Sequence, residues 1–159
     1  ALCRYALVEI VNLHSPALEF EAIHRIVTDV DTKALMSEMT AALELSEEKT
    51  EQAIVVCDNG EEKTLYIHKP TSKLTVGSLQ NFLDIYIKEK GGKVDYIHGA
   101  EVIRELSAKE NSIGFMLPDM GKEELFPTVI VDGALPRKTF SMGHAEDKRF
   151  YVEARKILK

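Results

Sequence analysis

The order of hydrophobic and polar residues switches along the chain between a period of two and a period near 3.6, which predicts interleaved strands and helices. Arg4 to Asn12 (RYALVEIVN) is nearly continuous in apolar character and predicts a strand buried on both faces. Asn12 to Pro16 supplies turn formers. Leu18 to Thr28 first alternates, with Leu18 and Phe20 opposed to Glu19 and Glu21. The alternation breaks at Ala22-Ile23, where a bulge is expected, and His24-Arg25 follow the break. Asp31 is placed to cap a helix to about Leu45 with Leu35, Met39, Ala42 and Leu43 on one stripe. Ala53–Cys57 and Thr64–His68 predict two strands around Asp58-Asn59-Gly60-Glu61, where Asn-Gly provides the positive φ angles of a tight hairpin.

From Ser78 onward helices and strands repeat. Ser78 is the expected cap of a helix striped by Leu79, Phe82, Leu83, Tyr86 and Ile87 and ended by Gly91-Gly92. Val94–His98 reads as a strand, and Gly99 opens a helix carrying Val102, Ile103 and Leu106. Ser112–Leu117 is the next strand, closed by Pro118-Asp119. A helix over about Lys122–Val131 is interrupted or restarted at Pro127 and ends at Gly133. Lys138–Met142 is a strand-like run, and Phe150–Ile157 fits either a strand or a helix, its alternation of Phe150, Val152 and Ala154 with Tyr151, Glu153 and Arg155 favouring a strand. The expected fold is therefore α/β in the mixed α+β sense. A central mixed sheet carries the β-hairpin in its first half and a βαβαβ-like parallel unit in its second, with helices packed on it.

Composition narrows the classes without changing that picture. At 159 residues, residues 1–159 make one domain with a sizeable core, and 45% hydrophobic against 29% charged residues is ordinary for a globular chain. No apolar run reaches the roughly 18 residues of a membrane span. A net charge of -6 disfavours a general nucleic-acid or anionic-membrane surface while leaving room for a local basic patch. Cys3 and Cys57 stand far apart and in no ligand-like spacing, as in a protein of the reducing cytoplasm. The chain starts without Met and within three residues is already strand-like, which predicts the carboxyl-terminal portion of a longer protein.

The residues with chemistry concentrate where strands end. Parallel strands joined by helices share a carboxyl edge, and ligands favour the crevice outside it. Three such ends carry His98-Gly99, Pro118-Asp119 and Ser141-Met142-Gly143. With Lys138, Arg149 and Arg25, they predict a site for a phosphate or carboxylate made of Arg25, His98, Asp119, Lys138, Ser141, Gly143 and Arg149. His24 and His98 are the candidates for proton transfer. Each has a plainer alternative. Gly, Ser and Asp serve turns and caps at any such junction, Arg137, Lys148 and Arg149 make an ordinary solvated face, and His24-Arg25 suits a salt-bridged core pair equally well. No metal spacing, phosphate-binding loop, dinucleotide fingerprint or hydrolase elbow is present, so no cofactor is assigned.

Four stretches, RYALVEIVNLHSPALEFEAIHRIV, GSLQNFLDIYIKEKGGKVDYIHG, NSIGFMLP and LPRKTFSMGHAEDKRFYVEARKI, together resemble a bacterial family known as domain of unknown function 1015. The resemblance implies that Pro136, Lys138 and Thr139-Phe140 match a Pro-Lys-Ser-Thr-Tyr-Phe segment of distant members, and that His24 and Arg25 match an early His-Arg pair. It also implies a longer parent protein. That parent's amino-terminal half bears a motif compared with ParB and sulfiredoxin-like proteins, which handle nucleotides and phosphates; the motif is not in this chain. Two functions follow as expectations. In one, this half helps bind a phosphorylated small molecule or nucleotide in the full-length protein. In the other, it is a non-catalytic regulatory or protein-interaction domain. The expected partners are a phosphate-containing small molecule and the amino-terminal half of the parent chain, with a second copy also open and no direct nucleic-acid or membrane contact.

Overall fold

A computed structural model describes residues 10, 12–16 and 18–142. The strands expected over 4–12 and 150–157 thus lie outside the described residues, apart from positions 10 and 12. Strand β1 (Phe20–Thr28) lies between β5 (Lys93–His98) and β6 (Ser112–Met116) and pairs antiparallel with both. Its amino-terminal residues Phe20 to Ala22 pair antiparallel with β7 (Phe140–Met142). Beyond β6 the sheet continues through β3 (Ala53–Asp58) and β4 (Glu61–Ile67) to the two-residue β2 (Leu45–Ser46).

The α/β class and the hairpin stand as expected. Asn59 and Gly60 take φ angles of 49° and 83°, the left-handed pair that a two-residue turn requires. The parallel βαβαβ pairing is corrected. β5 and β6 do run in the same direction with helix α3 (Ala100–Ser107) connecting them, but β1 is inserted between them and every pairing found is antiparallel. Periodicity identifies a strand and the faces it presents; it does not reveal which strand, 70 residues away, fills the gap between two parallel neighbours.

Two core layers sandwich the sheet. On one face, α1 (Thr32–Leu43) and α2 (Thr75–Lys90) bury Leu35, Met39, Leu43, Leu79 and Leu83 against Val27, Ile54, Val56, Ile113 and Phe115. On the other, α3 buries Ile103 against Ile26, Cys57 and Met116. β6 is buried on both faces, as a central strand should be. Ala22 and Val27 belong to the first layer but Ile26 to the second, so β1 changes the phase of its alternation between Ala22 and Ile26, where the sequence pattern breaks.

Local chemistry sets the helix boundaries. Asp31 Oδ1 accepts from the Lys33 and Ala34 N–H groups at 3.0 Å and caps α1. Ser78 does not cap α2, which begins three residues earlier. Its buried Oγ accepts from the Thr71 and Ser72 N–H groups at 3.1 and 3.3 Å and donates to Gln52 Oε1 at 2.8 Å. Leu74 at the cap position offers no side-chain acceptor. The expected 122–131 helix divides into a 3₁₀ turn over Lys122–Glu124 and α4 (Leu125–Asp132), with Pro127 in the first turn. On α3, Ile103 is fully buried and Leu106 half-buried, but Val102 is exposed.

The α3–β6 contact depends on Gly114. A Cβ there would sit 2.6 Å from Ile103 Cγ2 and 3.3 Å from Ser107 Cβ. Ile103→Ala is expected to lower unfolding free energy by about 2–5 kcal/mol in urea denaturation, and Gly114→Ala to push α3 off the sheet and destabilise as well. If Gly114→Ala proves neutral, the helix does not pack at that distance.

Candidate functional site

β5, β6 and β7 all run opposite to β1, so their carboxyl ends lie at one edge of the sheet, as the strand-end argument expects. Because β1 runs the other way, its amino-terminal half reaches that same edge and brings Glu21, Ile23 and His24 there. A cleft of about 510 Å³ opens at this edge, lined by Ile23, Tyr96, His98, Lys138, Phe140, Ser141 and Met142. Three predicted site residues, His98, Lys138 and Ser141, thus share one wall space although they come from two separate parts of the chain. His98 Nε2 is hydrogen-bonded to Glu21 Oε2.

Arg25 builds the cleft rather than lining it. Its side chain is fully buried and extends toward α2 and the 136–139 segment. Nη1 donates to the carbonyls of Ile23 and, at 2.8 Å, Lys138; Nη2 donates to Arg137 O at 3.0 Å; Nε donates to Gln80 Oε1 at 3.1 Å. The guanidinium carbon lies 5.0 Å from the centroid of the Tyr96 ring, and that of Arg137 lies 5.7 Å from the same ring. Arg137 also donates to Tyr96 Oη at 2.5 Å and to Asp84 Oδ1 at 2.9 Å, while Gln80 Nε2 donates to Asp84 Oδ1 at 2.8 Å. Burial pulls the Arg25 pKa down to about 10, with Tyr96 opposing the shift and Arg137 adding to it, so the group remains a cation at neutral pH.

This network explains why β7 begins only at Phe140 although strand character was expected from Lys138. Two successive carbonyls, of Arg137 and Lys138, turn inward to Arg25, and Lys138 adopts φ 54° to allow it. Thr139 Oγ1 donates to Pro136 O at 2.6 Å and closes the turn. The exposed Lys138 side chain is thereby presented beside His98 and Ser141.

The remaining predicted residues are placed elsewhere. Asp119 accepts from the Ala22 N–H at 2.7 Å and lines a second, smaller cleft. His24 Nδ1 accepts from the Leu117 N–H at 3.2 Å, which fixes the proton on Nε2 when the ring is neutral. Burial lowers the His24 pKa from 6.5; the Asp119 carboxylate works against that shift, and His98 and Arg25 reinforce it. Gly143 and Arg149 lie outside the described residues. Glu21, Tyr96 and Asp84 carried no sequence signal of their own, because only the register Ile23 to His98 and Arg25 to Tyr96 brings in the first two, and only the long-range contact of Arg137 brings in Asp84 from α2. Among the described residues no group of three or more His, Cys, Asp or Glu side chains is gathered as for a metal ion.

Residues 1–86, just over half of the 159, match the family model described as a protein of unknown function, DUF1015. The chain belongs to the DUF1015 family. No curated protein matches it. Among solved structures, its fold is like that of a conserved hypothetical protein from Pyrococcus furiosus, with a TM-score of 0.65 at 15% identity over 86% of this chain and 61% of that one. It is also like a free serine kinase solved in complex with AMP, with a TM-score of 0.64 at 17% identity over 85% of this chain and 58% of that one. A third, SbnI with a carboxyl-terminal truncation from Staphylococcus aureus, has a TM-score of 0.56 at 12% identity over 83% and 53%. At these identities the likeness is one of fold, and this DUF1015 chain spans about three-fifths or less of the length of those structures.

The half-buried His24, its pKa lowered by desolvation, makes stability depend on pH. With its folded pKa below 6.5, the unfolded chain takes up the proton first. The contribution is fully present above pH 6.5 and is lost as pH falls from there through the depressed folded value. Urea denaturation from about pH 7.5 to about pH 5 should show a steeper loss for the native chain than for His24→Asn, whose amide oxygen can take over the Leu117 N–H. Equal slopes would show that His24 titrates as freely in the fold as out of it.

Proposed function

We propose that this chain contributes to binding a phosphorylated small molecule or nucleotide, with the phosphate in the 510 Å³ cleft at the β5–β7 edge. The observation that carries the reading is the convergence of His98, Lys138 and Ser141 on that cleft, backed by the cations Arg25 and Arg137, both against the ring of Tyr96. Arg25, Arg137 and Lys138 oppose an overall charge of -6 locally, and local field outweighs net charge at contact distance. In this reading Lys138 contacts the phosphate directly, while Arg25 holds the loop that presents it. Gly143 and Arg149 follow β7 in the chain and belong to the same proposed site. His98, held by Glu21, and His24 are the groups available for proton transfer. That a protein of like fold, the free serine kinase, is solved with ADP and with AMP supports a nucleotide as the occupant. The chain is read here as the carboxyl-terminal portion of a longer protein in which the remainder completes the site.

One observation favours a second reading, a protein-interaction domain. Helix α4 leaves Phe126, Ile130 and Val131 exposed at 63%, 82% and 70%, an apolar face of the kind that partners cover.

Titration of the chain with AMP and with inorganic phosphate, followed by amide NMR shifts, separates the two. Shifts are expected at 96–98 and 138–142, and Lys138→Ala should weaken binding about 10-fold, as for one charge-assisted hydrogen bond. Lys63→Ala on the distant β3–β4 hairpin should change nothing. Shifts that cluster elsewhere, or an unaffected Lys138→Ala, would overturn the phosphate reading.

A further inference from the structure

Helix α4 presents its faces in the reverse of the usual order. None of residues 125–131 (LFPTVIV) is charged, yet Phe126, Val129, Ile130 and Val131 are exposed. Thr128 is the residue turned inward, and its Oγ1 has no hydrogen-bond partner among the described residues. The helix is nevertheless held at both ends. Asp132 Oδ2 accepts from the Ser72 hydroxyl at 2.7 Å and from the Lys73 N–H at 2.6 Å. At the other end Glu124 Oε2 accepts from the Gly121 N–H at 2.7 Å, and Leu125 packs against the main core. Turning α4 over to bury its apolar arc would break these contacts, so the arc needs a cover from outside. Phe126, Val129 and Ile130 stand at the i, i+3, i+4 spacing by which one helix receives another.

The size of the arc selects the occupant. Four exposed side chains make a patch of a few hundred Å², short of the ~800 Å² per partner that a stable dimer buries. A single helix of similar length covers it, and α4 is about 12 Å long. Such a segment follows β7 in the sequence, within residues 143–159. The alternation of apolar and polar positions there fails at Lys156-Ile157, whereas a helical period holds throughout. Phe150, Ala154, Ile157 and Leu158 fall at i, i+4, i+7 and i+8 with Tyr151 beside them, and Glu153, Arg155, Lys156 and Lys159 take the remaining arc. As a helix, 150–158 would be about 13 Å long, a match to α4, and the chain from Met142 to Phe150 can reach up to about 26 Å. Charge sets the direction: Arg155, Lys156 and Lys159 crowd the far end of this segment, and Glu123 and Glu124 stand at the amino end of α4.

We propose that residues 150–158 form a helix docked antiparallel on α4, with Phe150 and Ala154 against Ile130 and with Ile157 and Leu158 against Phe126. The apolar face then has its occupant within the same chain. The proposal does not rest on phosphate binding in the cleft, and Gly143 and Arg149 lie in the connection that leads from the cleft to α4.

The test is NMR of the 159-residue chain. NOEs are expected between the side chains of Phe126, Val129 and Ile130 and those of Phe150, Ile157 and Leu158, unchanged on dilution and in a chain that sediments as a monomer. Ile157→Ser should speed amide exchange in α4 roughly 10-fold, while Val152→Ser, on the opposite arc, should leave it as in the native chain. Absence of those NOEs, or equal α4 exchange in Ile157→Ser and the native chain, would overturn the proposal. NOEs to α4 that fade on dilution as a dimer dissociates would assign the face to a second copy and overturn it as well.

Discussion

A fully buried guanidinium is expensive, because the charge leaves water for a medium that solvates it poorly, and it persists only where protein groups replace the lost hydration. Arg25 meets that condition with three main-chain carbonyls, the Gln80 amide oxygen and the face of Tyr96. The rest of the candidate site follows from this one arrangement. The carbonyls it gathers belong to β1 itself and to the 137–138 loop, so a side chain in the strand fixes a loop more than 110 positions later in sequence. Lysine could not do the same, since it lacks the planar fork that reaches several acceptors at once.

The loop in turn orders what surrounds it. With its backbone tied to Arg25, Lys138 accepts a left-handed conformation that costs a non-glycine residue about 1 kcal/mol or more, and its side chain is exposed at the cleft. Arg137 is drawn across Tyr96 to Asp84, which joins the loop to β5 and α2. The larger cleft is thus walled by side chains held by buried polar contacts, while the smaller one is framed by a helix end and acids. The two differ in chemistry because they lie against different elements of the same segment.

Much of this was legible in the sequence, and the failures have physical causes. Asp31, Asn59-Gly60 and Gly91 announced their elements because capping and positive φ are local demands. The broken alternation at Ala22-Ile23 marked a real change of face in β1. The shared carboxyl edge also emerged, since direction depends on the connecting helix and not on which strands touch. Strand adjacency did not, so parallel neighbours were expected where β1 intervenes. The same long-range pairing hid Glu21 beside His98 and Tyr96 beside Arg25. Arg25 itself was legible as a site residue or as half of a core pair, but its partners were not, because they are mostly backbone carbonyls, which carry no sequence signature. Asp119 was likewise expected at the same cleft and faces its neighbour instead.

The central claim, that Arg25 fixes the 137–141 segment, is tested most directly by amide hydrogen exchange on Arg25→Lys compared with the native chain. The account predicts that amides of residues 138–142 lose protection selectively and that global stability falls by about 2–4 kcal/mol, as expected when buried carbonyls lose their donors. The hairpin of β3 and β4, which Arg25 does not touch, should lose protection only in proportion to the global change. Unchanged protection at 138–142 with stability near that of the native chain would contradict it.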